Sequence, residues 1–203
     1  MVRQERGTRS RRSILEAAAQ VFDERGYEGA STTDILARTG LTRGALYHHF
    51  PSKEAIAIAL VEAQTEALVA PPHSMKLQAA IDLTMEFARR LRCDPVLRAS
   101  VRLTVEQTSF TYPKRTPYQW SYEAISGLLT EAEAQGEILP GTDIDELTKF
   151  IVGAFTGVQL MSQVYTGRDD LLERVTSMWR LLLPGFATPA MISRLRTAPA
   201  EES

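Results

Sequence analysis

Between Gly26 and Ser52 the chain punctuates itself more densely than anywhere else, and that spacing limits what it can become. Ser31 and Asp34 read S-x-x-D, a helix start in which hydroxyl and carboxylate each satisfy the other's backbone N–H. Gly40 ends that helix, Thr42 can cap the next, Pro51 stops it, and Ser52 caps a fourth. Only short helices joined by tight turns fit between these marks.

The flanking patterns are helical too. Upstream, Ile14, Ala17, Ala18, Val21 and Phe22 recur at helical spacing, which predicts a helix over 8–25 closed by Gly26. Downstream of Ser52, Ile56, Leu60 and Ala63 predict a long helix to about Val69. Pro71-Pro72-His73-Ser74 reads as a linker. Further helices are expected over 76–91, from the Asp94-Pro95 cap, and over 119–135, 144–166, 169–183 and 188–196, with a two-proline loop at 109–118. The chain therefore reads as all-α, with nine or ten helices in 203 residues. Residues 1–51 are expected to form a three-helix helix-turn-helix domain with a basic arm, and 52–203 a larger helical domain.

Charge and chemistry narrow the function. Residues 1–12 carry five arginines and one glutamate, a net +4, while the whole chain is −2. A basic arm on a weakly acidic body points to a polyanionic partner at one end only. Cys93 stands alone, which excludes an internal disulfide framework and fits a reducing cytoplasm, the expected location. No apolar run approaches the ~18 residues of a membrane span. The sequence holds no H-E-x-x-H, G-x-S-x-G, P-loop or G-x-G-x-x-G. His48 and His49 are adjacent, about 100° apart around a helix, which suits no metal. Enzymatic activity, a metal and a cofactor are not expected.

The segment after Gly40 has the residue types that DNA asks for. In TRGALYHHF, Leu46 and Phe50 read as core, leaving Thr42, Arg43, Gly44, Tyr47 and His48 outside. Arg43 can fork to the O6 and N7 of guanine in a major groove. Gly44 lets a backbone approach closely. Thr42, Tyr47 and Lys53 carry donors for phosphate oxygens, and Thr33 opens the preceding helix where it could reach the backbone as well.

The stretch GYEGASTTDILARTGLTRGALYHHFPSKEAI resembles the DNA-binding domain of TetR-family transcriptional repressors across residues 8–56. The resemblance implies an all-α homodimer on a palindromic operator, released by a ligand bound in the C-terminal domain. It also implies DNA contacts from Thr42, Arg43, Gly44, Tyr47, His48, His49 and Lys53. RQERGTRSRRSILEAAAQVFDERGY, PVLRASVRLTVEQ, PYQWSYEAISGLLTEAEAQGEILPG and FIVGAFTGVQLMSQ are similar to the gamma-butyrolactone receptor branch. Those receptors usually read Lys-Gly-Ala-Leu-Tyr-Phe-His-Phe in the recognition helix, where this chain has Arg43 and His48. Pseudo-receptors that sense antibiotics or biosynthetic intermediates share much of the pattern, and secondary-metabolite genes are the expected targets.

The helices 76–91 and 144–166 carry more apolar residues than one narrow stripe, as core, partner face or pocket wall would require. Candidate polar anchors for an apolar ligand are Gln64, Gln107, Thr108, Trp120, Thr156 and Gln159, with Phe87 as an apolar contact. By the resemblance, Trp120 lines the pocket. Gly153, Ala154, Gly157 and Ser162 permit close approach of a second copy. Two other readings stand beside this one: a helical adaptor without DNA binding, and a DNA-binding protein that senses no ligand.

Overall fold

The computed structural model describes residues 2–64, 68–70, 72–105 and 117–198. Its helices are α1 (Val2–Gly29), α2 (Thr32–Thr39), α3 (Arg43–His49), α4 (Lys53–Ala63), α5 (Lys76–Cys93), α6 (Pro95–Val105), α7 (Pro117–Ala134), α8 (Ile144–Thr166), α9 (Leu171–Leu182) and α10 (Pro189–Ile192), with a 3-10 turn at Leu183–Gly185. Among the described residues there is no strand, only an isolated bridge between Ile138 and Ala187. None of the helices described is long and apolar enough to cross a membrane.

The chain divides into two compact units that interleave in sequence: Met1–Glu66 with Cys93–Pro117, and Ala67–Arg92 with Tyr118–Ser203. The expected cut between 51 and 52 falls inside the first unit. The reason is the burial of Ile56, Ala57, Leu60 and Val61, which seat α4 against α1 and α6. The first core also takes Ile14, Ala18, Val21 and Phe22 from α1, Ile35 from α2, Leu46 from α3, and Leu97, Ala99 and Leu103 from α6. Arg98 Nε donates to Asp23 at 3.0 Å and Arg102 donates to the Asp23 carbonyl, so α6 is tied to α1 by charge as well as by packing.

Local chemistry explains most boundaries. Ser31 accepts from the Asp34 N–H and Asp34 accepts from the Ser31 N–H, the reciprocal cap expected. Thr42, Ser52 and Asp94 each cap the helix that follows through the side-chain oxygen. Three helices differ from expectation. α1 runs past Arg25 to Gly29, kinking where Gly26 takes a φ of 69°. α4 ends at Ala63 rather than near Val69, and Leu68–Ala70 is not helical. Ala70 precedes a proline, whose ring disfavours helical geometry in its neighbour. The helix expected over 188–196 shrinks to Pro189–Ile192. Of the expected 109–118 loop, all but the last two residues lie outside the described part.

The second unit is knit by long-range polar contacts beneath its apolar core. The Glu137 carboxylate accepts from the backbone N–H groups of Lys76 and Leu77, at 3.0 and 2.8 Å, and so caps α5 from about sixty residues away. An anion there also suits the positive end of the helix dipole. Trp179, fully buried, donates its Nε1–H to the Thr84 hydroxyl at 2.7 Å. At the α8–α9 corner, Asp170 accepts from Ser162, Thr166 and Arg174. The Ser162 and Thr166 hydroxyls lead in holding its pKa at about 2, and Arg174 adds to them.

Candidate nucleic-acid interface and effector residues

α3 is seven residues long and spends one of them, Leu46, on the core. That residue is fully buried, and Phe50 just beyond the helix is buried as well. The turn before α3 is set by Gly40 at a φ of 65° and by Thr39, whose hydroxyl donates to the Leu36 carbonyl and accepts from the Leu41 N–H. Two ion pairs fasten α2 to α1: Arg25 with Asp34 at 2.9 Å, and Arg38 with Glu24 at 2.6 Å. α3 is thereby held out from the body, with Thr42, Arg43, Gly44, Tyr47 and His48 exposed.

Two of these side chains, Tyr47 and Arg43, are already organised, with Thr32 of α2 as a third member. The Tyr47 hydroxyl lies 3.4 Å from the Thr32 hydroxyl, and the Arg43 guanidinium sits 5.6 Å over the Tyr47 ring. The Thr32 hydrogen bond, then the Arg43 one, hold the phenol below its ordinary pKa. Both act by favouring the anionic form. Gly44 faces open space, with no protein atom within 4 Å of where a Cβ would stand. Thr42 uses its oxygen to accept from Ala45 at 3.2 Å, which leaves its O–H to donate elsewhere. Thr33 is exposed one residue into α2, and His48 and His49 meet edge to face at 5.3 Å. Thr32 was not singled out from sequence, because its partner is fifteen positions away and no periodicity links them.

Lys53 is placed differently from the outward phosphate contact its position suggests. Its Nζ donates to the carbonyls of Tyr27 and Ala30, at 2.8 and 3.1 Å, and stands 4.2 Å over the Tyr27 ring. Two of its three donors thus close the end of α1, leaving one for a partner. On the arm, Arg11 packs over the Phe50 ring at 5.1 Å and Arg12 pairs with Glu16.

The candidate effector residues fall into two groups. Gln64 is buried in the first unit, where its Oε1 accepts from Ser100 at 3.0 Å and from Thr104 at 3.4 Å. This joins the end of α4 to the middle of α6. Phe87, Trp120 and Thr156 belong to the second unit. Phe87 meets Phe155 edge to face at 5.6 Å, Trp120 is half-buried on α7, and the Thr156 hydroxyl donates to the Val152 carbonyl at 2.8 Å. Gln107 and Thr108 lie outside the described residues. No cluster of His, Cys, Asp and Glu able to hold a metal occurs among the described residues.

Two family models cover this architecture. Residues 14–60 match the bacterial regulatory proteins of the tetR family, and residues 74–188 match the tetracyclin repressor-like C-terminal domain. The chain belongs to the TetR family. It is 39% identical over 196 residues to the A-factor receptor protein of Streptomyces griseus, covering 97% of this chain and 70% of that one. Among solved structures, this TetR-family chain is similar to native TylP, a TetR regulator from Streptomyces fradiae. The TM-score is 0.85 at 43% identity, over 95% of this chain and 93% of that one. It is also similar to an ArpA-like gamma-butyrolactone receptor, with a TM-score of 0.78 at 30% identity over 93% and 94% of the two chains. The TetR family is one of transcriptional regulators that bind DNA, and α2–turn–α3 is the helix-turn-helix of this member.

Proposed function

We propose that this protein is a homodimeric repressor that grips a palindromic operator and is released by a lactone-like effector, in control of secondary-metabolite genes. The observation that carries the proposal is the outer face of α3: five exposed residues suited to DNA on a helix that commits one side chain to the core. Arg43 reads base edges, Tyr47 and Thr42 hold phosphates, and Gly44 admits the backbone. Thr33, His48, His49 and the remaining Lys53 donor add contacts around them.

The dimer reading rests on α8. Its inner stripe buries Thr148, Ile151, Gln159 and Ser162, while its outer side exposes Phe150, Gly153, Gly157, Leu160, Met161 and Val164. Phe150 is 60% exposed and Val164 71%, a contiguous apolar face that a second copy would cover. A two-fold dimer reads an operator whose half-sites lie one DNA turn, ~34 Å, apart. Val164→Lys is expected to give monomers in sedimentation velocity and to lose the operator; a dimer that persists would move the interface elsewhere.

The kinship with lactone receptors supports an apolar signalling molecule as effector, with contacts assigned to Gln64, Phe87, Thr108, Trp120 and Thr156. Gln64 gives the effector a lever, since engaging it competes with the Ser100 bond that ties α4 to α6. The effector need only prefer one of two states. Fluorescence anisotropy with DNA upstream of the protein's own gene, with and without a panel of gamma-butyrolactones, tests the whole reading. Salt-dependent binding released by a lactone supports it. Binding released by none points to an antibiotic or intermediate as effector, and a protein that selects no site from random DNA would be an adaptor.

A further inference from the structure

The inner stripe of α8 accounts for its polar groups with one exception. The Thr148 hydroxyl donates to the Ile144 carbonyl and the Ser162 hydroxyl to Asp170, both at 2.6 Å. Gln159 lies between them, 3% exposed, and its Oε1 is buried without a hydrogen-bond partner. Buried polar atoms in folded proteins are nearly always paired, and an unpaired one asks for a reason. Stability supplies none here, because Leu or Met would fill the position without an unpaired carbonyl. Toward the N-terminal side of Gln159 the neighbours along the stripe are apolar, Ile151 two turns back and Phe155 one turn back with its ring against Phe87, while Ser162 one turn on is already committed to Asp170. Thr156 stands one turn before Gln159, toward the same side of the helix.

We infer that Gln159 is an effector contact, whose carbonyl accepts a hydrogen bond from a hydroxyl or N–H carried on an otherwise apolar molecule. The inference rests on the effector reading above and sharpens it. A lactone ring offers only acceptors, its carbonyl and its ring oxygen, and cannot satisfy Oε1. The effector must therefore bear a donor outside the ring, and Gln159 selects for it.

Isothermal titration of the full-length protein, without DNA, tests this with a matched pair: a long-chain gamma-butyrolactone bearing a side-chain hydroxyl, and its deoxy counterpart. Wild type is expected to prefer the hydroxyl compound about tenfold, the size of one net hydrogen bond. In Gln159→Met the preference should fall to about one, through loss of affinity for the hydroxyl compound alone. Melting curves report whether the variant is folded, and Gln159→Leu replaces it if it melts well below wild type. A preference that survives both substitutions overturns the inference, as does wild type binding the two compounds equally or favouring the deoxy one. If wild type binds neither, the lactone reading itself falls and takes this inference with it, a result distinct from binding without discrimination.

Discussion

Replacing Lys53 by Met keeps most of the side-chain stem and removes the ammonium. In the wild type that ammonium donates to two carbonyls at the end of α1 and lies over the Tyr27 ring. The Tyr27 carbonyl otherwise takes only a long 3.4 Å bond from the Ala30 N–H among the backbone bonds that close this turn, the Ala30 carbonyl lies just past the helix, and a cation suits the negative end of the helix dipole. The site is half-buried, so water can re-solvate the carbonyls, and each bond is best valued near the lower end, at about 1 kcal/mol. The ring contact adds about 0.5–1 kcal/mol. Lys53→Met should therefore cost about 2–3 kcal/mol. For a chain of this size that lowers the melting temperature by roughly 5–10 °C. Helical circular dichroism on heating reads the loss. Operator affinity against salt concentration reads the other role, and its log–log slope should flatten by no more than one phosphate, ~0.9. An unchanged melting curve with a slope flatter by ~0.9 would refute the reasoning and make Lys53 an ordinary phosphate contact.

Arg43→Ala is expected to cost ~1–3 kcal/mol on the cognate operator and less on random DNA, measured by anisotropy at fixed salt; equal losses would remove Arg43 from base reading. Gln64→Leu leaves the Ser100 hydroxyl without its acceptor and should raise the effector concentration needed for release. Release at an unchanged concentration would show that the signal takes another route. The depressed Asp170 pKa makes the folded state hold its proton less tightly than the unfolded chain. Its stabilising contribution is thus complete above the ordinary carboxylate pKa of ~4 and is lost as pH falls toward about 2. Acid unfolding of Asp170→Asn, followed by circular dichroism, should show a shallower loss through that window than wild type. Parallel curves would mean that the Ser162 and Thr166 bonds do not depend on the charge.

Much of this molecule can be read from its residues, where the cause is local. Ser31, Thr42, Ser52 and Asp94 cap helices through contacts two or three residues away, so a short pattern reveals them. The exposure of Arg43 and Tyr47 follows from which neighbours must face inward. The inward turn of Lys53 does not, because its acceptors stand 26 and 23 positions earlier. Glu137 gives no hint that it caps α5, since an acidic residue after a glycine reads as solvated loop. The overlong reading of α4 has a different cause. Helical hydropathy continues past Ala63 although the helix does not, and Pro71 accounts only for the non-helical Ala70 beside it. The second unit was less legible than the first, as its organising contacts join segments sixty to more than a hundred residues apart.

The interleaving of the two units also bears on how the protein is made. α1 to α4 leave the ribosome first, yet the surface of α1 and α4 that α6 covers stays bare until the chain has passed residue 105. α5 emerges in between, with eleven buried residues destined for the other unit and none of α7, α8 or α9 yet present. Neither unit can mature as an independent early domain. A nascent chain stalled in this interval presents two incomplete apolar surfaces at once, the condition in which chaperones are recruited. The same order means that a gene fragment ending near residue 60 encodes a helix-turn-helix stripped of its α6 buttress. Experiments on DNA recognition are therefore best built on the intact chain.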